Sequence, residues 1–94
     1  MTSAEFSELG ILIKNLRIKA ELSQGKLSKL LGYTSAQFIS NWERGLSKPP
    51  VSSLDTLAGF LKIDTKLLKE KYLEILVRAF EKNLRMELFP EKKR

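Results

Sequence analysis

Two amide side chains, Gln37 and Asn41, lie four positions apart in a short polar segment of the chain. Side chains at that spacing project from the same face of a helix. An amide can donate and accept a hydrogen bond at once, so it complements the N6 and N7 atoms of adenine in the major groove of DNA. The small and polar neighbours of this pair could reach base edges or phosphates from the same face. The candidates for base contact are Ser35, Ala36, Gln37, Ser40 and Asn41.

Two residues of this segment have a second interpretation. Thr34 and Gln37 fit a capping box, in which the glutamine side chain turns back to the backbone at the start of its own helix. Phe38, Ile39 and Trp42 are the residues of this helix expected to face the core. Trp42 could instead stack on a base, but its apolar spacing with the other two favours packing inside the protein. For Gln37, both base contact and capping remain open.

Five further residues could contact the phosphates of DNA. Gln24 opens a predicted helix, where free N–H groups and the helix dipole suit an anion, and its side chain could add a donor. Lysine and arginine residues near the same segment would add affinity and salt dependence, but no reading of sequence. A merely solvated surface position is the alternative for each. These candidates are Gln24, Lys26, Lys29, Arg44 and Lys48.

The composition excludes several classes of site. The 94 residues contain no cysteine and no histidine, so disulfides, cysteine nucleophiles, imidazole bases and the usual zinc sites are excluded. The carboxylates scatter along predicted helix surfaces, and we expect no enzymatic activity, no metal and no cofactor. The formal net charge of +6 favours a polyanionic partner. No apolar run approaches the roughly 18 residues of a membrane span, and the N-terminus is unlike a secretion signal, so a cytoplasmic protein is expected.

Five helices are expected to position these side chains, because apolar residues recur at three- and four-residue intervals while glycines and prolines fall at the breaks. The predicted segments are 7–21, 24–31, 35–43, a fourth helix that buries Leu54, Leu57, Ala58 and Leu61, and 65 to about 89. Ser23, Thr34 and Asp64 are the predicted N-caps of the second, third and fifth helices. Gly32 and Gly45 are suited to end the second and third.

The last predicted helix carries apolar residues on two sides. A helix that rests on one surface needs a single apolar stripe, so we expect this one to pack on its own domain and on a second copy of the chain. The alternative is a helix wedged into a small monomeric core. We therefore divide the chain into a helix-turn-helix domain, residues 1–64, and a dimerising C-terminal helix with a basic tail, residues 65–94. The predicted dimer contacts are Tyr72, Ile75, Leu76, Ala79 and Phe80.

Several spaced residues form a pattern that extends over more than half of the chain. They are Leu16-Arg17, Leu22-Ser23-Gln24, Leu27, Leu31-Gly32, Ile39-Ser40, Glu43-Arg44-Gly45, Pro49, Leu54, Leu57 and Ala58. This pattern resembles the Cro/CI-type helix-turn-helix family of phage and bacterial repressors, also called the XRE family. The resemblance implies an all-α fold, a compact lambda-repressor-like bundle of four or five helices whose third helix enters the major groove. It also implies that Arg17 and Glu43 form a buried ion pair and that Gln24 clamps a phosphate.

One departure from the family pattern concerns the turn before the third helix. The interval from Gly32 to Gly45 is one residue longer than the usual spacing, and we assign the additional residue to positions 33–35. It therefore stays open which of Ser35, Ala36 and Gln37 enters the groove first.

These observations predict a transcriptional regulator, most simply a repressor, that binds double-stranded DNA in a sequence-specific manner. A homodimer would place its two third helices in successive major grooves of a near-palindromic operator. The alternative is a protein-interaction module or antitoxin whose C-terminal helix binds a partner protein.

Overall fold

The computed structural model describes residues 4–90, which contain helices but no strand. The helices are α1 (Ala4–Lys19), α2 (Gln24–Leu30), α3 (Gln37–Glu43), α4 (Leu54–Leu61) and α5 (Thr65–Leu88), with a 3-10 turn at Val51–Ser53 before α4. This architecture confirms the prediction of an all-α bundle with a long C-terminal helix.

Local signals set the boundaries of α1 and α2. α1 begins at Ala4 rather than at residue 7, and it ends at Lys19 rather than at residue 21. The hydroxyl of Ser23 accepts a hydrogen bond from the backbone N–H of Lys26 at 2.9 Å, as an N-cap residue does. Gly32 follows α2 with a φ of 86°, a left-handed conformation that suits glycine. The predicted cap and end of α2 are both confirmed.

The turn into α3 differs from the prediction. α3 begins at Gln37 rather than at residue 35, and Thr34 is not its cap. Instead, the hydroxyl of Ser35 accepts the backbone N–H of Gln37 at 3.0 Å, while the carbonyl of Ser35 accepts the hydroxyl of Ser28 at 2.6 Å. These two bonds hold the chain before Gln37 in a turn. The turn before α3 is therefore longer, and α3 itself is two residues shorter, than the sequence predicted.

The core lies between α1, α2, α3, α4 and the first half of α5. α1 crosses the end of α3 closely: a Cβ added at Gly10 would clash with the carbonyl oxygen of Trp42 and would lie 2.7 Å from that of Glu43. All four predicted core positions of α4 are buried. The buried apolar residues are Leu9, Ile13, Leu27, Ile39, Trp42, Leu54, Leu57, Ala58, Leu61, Leu68, Tyr72 and Ile75.

α5 begins inside this core and ends outside it. The carboxylate of Asp64 accepts the backbone N–H of Leu67 at 3.0 Å, which confirms the predicted cap. Tyr72 is only 7% exposed, and its hydroxyl donates to the carbonyl of Pro49 at 2.7 Å. Ile75 is also buried within the same chain. Tyr72 and Ile75, two of the predicted dimer contacts, therefore pack in the core of their own chain, and their contact with a second copy stays a prediction.

The remaining part of α5 is exposed to solvent. Residues 81–90 are all exposed, and the last ion pair that ties the helix to α1 joins Arg78 to Glu8 at 2.9 Å. Large apolar side chains recur along the uncovered side at three- and four-residue intervals. We call this set the exposed α5 stripe: Leu73, Val77, Phe80, Leu84 and Leu88.

Candidate nucleic-acid interface

α3 has one face in the core and one in solvent. Ile39 and Trp42 are buried and hold the helix against the bundle, which confirms the interpretation of Trp42 as a core residue. On the other side, Gln37 is exposed and Asn41 is half-buried. The amide nitrogen of Gln37 donates to the side-chain oxygen of Asn41 at 2.8 Å. The Gln37 side chain thus points along the outer face of α3, so the capping-box interpretation is wrong.

The bond between these amides leaves a complementary pair of hydrogen-bonding groups. With the Gln37 amide nitrogen and the Asn41 oxygen engaged, the pair still has the oxygen of Gln37 as an acceptor and the amide nitrogen of Asn41 as a donor. Adenine presents a donor at N6 and an acceptor at N7 in the major groove. The two residues can therefore act as one unit that offers an acceptor and a donor to a base edge.

The other base-contact candidates occupy two different places. Ser40 lies on α3 beside the amide pair and is half-buried. Ser35 and Ala36 precede the helix, with Ser35 exposed in the turn and Ala36 at the N-cap position. The Ser35 hydroxyl is already bonded to the backbone of Gln37. The structure thus brings Gln37, Ser40 and Asn41 together on α3 and leaves the two earlier residues at its entrance.

The four cationic phosphate candidates are exposed, and none of them forms an ion pair with a residue in the range 4–90. They stand on α2 and just beyond α3: Lys26, Lys29, Arg44 and Lys48. Their charges are therefore available to a polyanion.

Gln24 is placed differently from the other phosphate candidates. It is half-buried at the start of α2, and its amide nitrogen donates to the carboxylate of Glu43 at 2.9 Å. An amide nitrogen carries two hydrogens, so one remains for a second acceptor. Nothing in the spacing of two residues in different helices indicates this contact, so it could not be predicted from the sequence.

A buried ion pair joins α1, α2 and α3 behind this surface. The guanidinium of Arg17 donates to the carboxylate of Glu43 through Nε at 2.6 Å and through a terminal nitrogen at 3.1 Å. Its other terminal nitrogen donates to the carbonyl of Leu22 at 2.7 Å. Arg17 and Glu43 therefore interact as the sequence analysis expected, and the Glu43 carboxylate also orients Gln24. This network fixes the start of α2 relative to the end of α3.

Phe38 was predicted to face the core, and this prediction is wrong. Its side chain is 50% exposed. Its ring stacks on Tyr33, with centroids 4.6 Å apart and planes 24° apart. Phe38 lies four positions before Trp42 and therefore shares its side of α3, but the core covers Ile39 and Trp42 and leaves Phe38 half exposed. The apolar spacing of α3 gave no signal of this difference.

Comparison with known proteins agrees with this geometry. A family model described as "Helix-turn-helix" matches residues 13–68, more than half of the chain. No curated protein matches the chain. None of the helices in the described part of the chain is both long enough and apolar enough to cross a membrane. The matched residues include α2, the turn and α3. The chain therefore belongs to the Cro/CI-type, or XRE, family of helix-turn-helix DNA-binding transcription regulators.

Proposed function

We propose that this protein is a transcriptional repressor that binds double-stranded DNA sequence-specifically, as a homodimer on a near-palindromic operator. The observation that carries the proposal is the hydrogen-bonded pair of Gln37 and Asn41 on the outer face of α3. Buried Ile39 and Trp42 fix the opposite face of the same helix. A rigid helix that presents an acceptor and a donor together is suited to reading adenine in the major groove.

Electrostatics support the same surface. Two exposed lysines on α2 and two exposed cations just beyond α3 flank the amide pair in the chain, and the net charge is +6. Such cations would contact phosphates on either side of the groove and position α3 within it. Ser35, Ala36 and Ser40 complete the proposed base-reading set, and Gln24 is proposed to contact a phosphate with its second amide hydrogen.

The exposed α5 stripe supports a homodimer. Its five large apolar side chains are solvent-exposed, and they recur on one side of a 24-residue helix. A second copy fits this side because one chain carries a single α3, whereas an operator of two half-sites roughly 34 Å apart requires two. Of the residues first expected at this interface, Phe80 is exposed, while Leu76 and Ala79 are half-buried at its edge. The first half of α5 thus contributes to the core, and we propose that residues 65–94 form the dimerising segment.

Repression is the simplest action for such a dimer, because its presence on an operator excludes other proteins from the same DNA. We expect it to act in the cytoplasm, beside that DNA. The proposal involves no chemical reaction and no cofactor.

The first experiment is selection of bound sequences from random duplex DNA, followed by affinity measurements on the selected site. Asn41→Ala should weaken binding to that site about 5- to 150-fold for each half-site contacted, the range for loss of a good base contact, and should change binding to scrambled DNA little. Asn15→Ala removes the same kind of side chain from an exposed position on α1 and should leave both affinities unchanged. An equal loss on selected and scrambled DNA would contradict base reading by Asn41.

The second experiment measures the oligomeric state by analytical ultracentrifugation at micromolar concentrations. The wild-type chain should sediment as a dimer, and Phe80→Glu should shift it toward the monomer, because a charge replaces an apolar side chain of the exposed α5 stripe. Ile11→Glu makes the same kind of change at an exposed apolar position of α1 and should leave the dimer intact. A monomeric wild-type chain would refute the homodimer and favour a partner protein for α5.

A further inference from the structure

Phe38 lies at the margin of the α3 face that carries the amide pair. It is adjacent to Gln37 and three positions before Asn41, so it is a neighbour of Asn41 on the helix surface. The core side of α3 is occupied by Ile39 and Trp42. Phe38 therefore stands on the flank of the helix, and half of its surface remains in contact with water.

The exposed Phe38 ring packs on other aromatic rings of the protein. Phe38 stacks on Tyr33 with centroids 4.6 Å apart, and Tyr33 meets the buried Trp42 edge to face at 5.8 Å. This series of three rings connects the surface to the core. A side chain fixed in this way loses little conformational entropy when a ligand covers it.

The chemistry of the ring restricts what it could contact. Phenylalanine has no hydrogen-bonding group, so burying its ring against an apolar partner is the contact that suits it best. In the major groove, the apolar group on the base edges is the C5-methyl of thymine. Every adenine that Gln37 and Asn41 could read is paired with a thymine, whose methyl group lies in the same groove.

The distances agree with contact at the same or the next base pair. Side chains three positions apart on a helix are roughly 5–6 Å apart at Cβ, and neighbouring base pairs are about 3.4 Å apart along the DNA. We infer that Phe38 packs its exposed ring against the C5-methyl of a thymine, at or beside the base pair read by Gln37 and Asn41. This inference rests on the proposed function of α3, and it makes Phe38 a specificity-determining residue.

Deoxyuridine substitution tests the contact directly, because it removes only the C5-methyl group of a thymine. Each thymine of the selected site is replaced in turn, and affinity is measured for the full-length protein. We expect one position in each half-site to weaken binding by about fourfold, the factor that corresponds to burial of one methyl group. Phe38→Ala should bind the unmodified site more weakly and should not distinguish thymine from uracil at that position.

Two further variants make the result interpretable. Phe38→Leu keeps an apolar side chain and should retain part of the discrimination, and circular dichroism shows whether each variant is folded. Ile11→Ala shortens an exposed apolar residue of α1 and should respond to deoxyuridine as the wild type does.

Each remaining outcome overturns the inference, but the outcomes differ in what else they overturn. If no thymine is sensitive in the wild type, or if Phe38→Ala keeps the same sensitivity at the same position, Phe38 does not read the methyl group. The proposed function would survive that result as long as Asn41→Ala still loses selectivity. If no duplex sequence is selected at all, both the proposed function and the inference fail.

Discussion

The ion pair behind the proposed interface allows a quantitative test of what holds α2 and α3 together. The side chains of Arg17 and Glu43 are 11% and 3% exposed, and their nearest atoms lie 2.6 Å apart. Glu43→Gln keeps the shape of the side chain but removes its charge, so the Arg17 guanidinium becomes a buried cation without a counter-charge. Loss of one partner of a buried pair costs about 3–5 kcal/mol.

The size of this effect should be easy to measure. A domain of this length has a total stability on the order of 5–14 kcal/mol, so Glu43→Gln should remove a large fraction of it. Equilibrium urea denaturation followed by circular dichroism at a fixed protein concentration gives the change in the free energy of unfolding. We also expect weaker DNA binding by this variant under conditions in which it stays folded, because Gln24 loses its carboxylate acceptor.

An exposed pair of the same chemistry provides the control. Arg85 and Glu81 on α5 are joined through the same atoms at 3.0 Å, but their side chains are 69% and 60% exposed. Glu81→Gln should therefore cost only about 0.3–0.5 kcal/mol. If Glu43→Gln proves no more destabilising than Glu81→Gln, burial does not govern the strength of this pair.

A double variant separates the cost of an unpaired charge from a general loss of contacts. Arg17→Met combined with Glu43→Gln removes both charges and should be less destabilising than Glu43→Gln alone. A double variant that is destabilised by the sum of the two single effects would refute the explanation by an uncompensated charge.

Three other predictions test the packing and the surface charge. Gly10→Ala should destabilise the fold by about 1–3 kcal/mol in a urea titration, because the added Cβ would meet the backbone of α3. Gly59→Ala should stabilise the fold in the same titration, because a Cβ at Gly59 meets nothing within 4 Å. Burial raises the pKa of the Tyr72 hydroxyl. The contribution of Tyr72 to the free energy of unfolding should therefore be present below pH 10 and decrease as the pH rises toward the raised pKa. A Tyr72→Phe variant with the same pH dependence as the wild type would contradict this. If four cations per chain contact phosphates, a plot of the logarithm of the dimer's affinity against the logarithm of salt concentration should have a slope of about −7. Lys48→Gln should make that slope less steep, and Lys14→Gln should not.

The sequence by itself determined the features that depend on neighbouring residues. Helical periodicity identified all five α-helices, because a single apolar stripe is a property of one segment. Ser23 and Asp64 could be predicted as caps, since a cap bonds to a backbone N–H only three residues away. Gly32 and Gly45 both adopt a positive φ, for which glycine is the residue with the least steric cost. The family pattern added the ion pair between Arg17 and Glu43.

Only the tertiary structure decided which apolar residues face the core and which polar groups meet. Phe38 lies at the surface although the buried Trp42 follows it at helical spacing, while Tyr72 is buried and bonded to Pro49. The contact between Gln24 and Glu43 joins residues in different helices. These outcomes depend on the angles at which α1, α3 and α5 pack, and each angle results from many weak contacts between distant segments. A local sequence pattern does not contain the total of these contacts. Periodicity can therefore show that a helix has an apolar side, but not which part of the protein will cover that side.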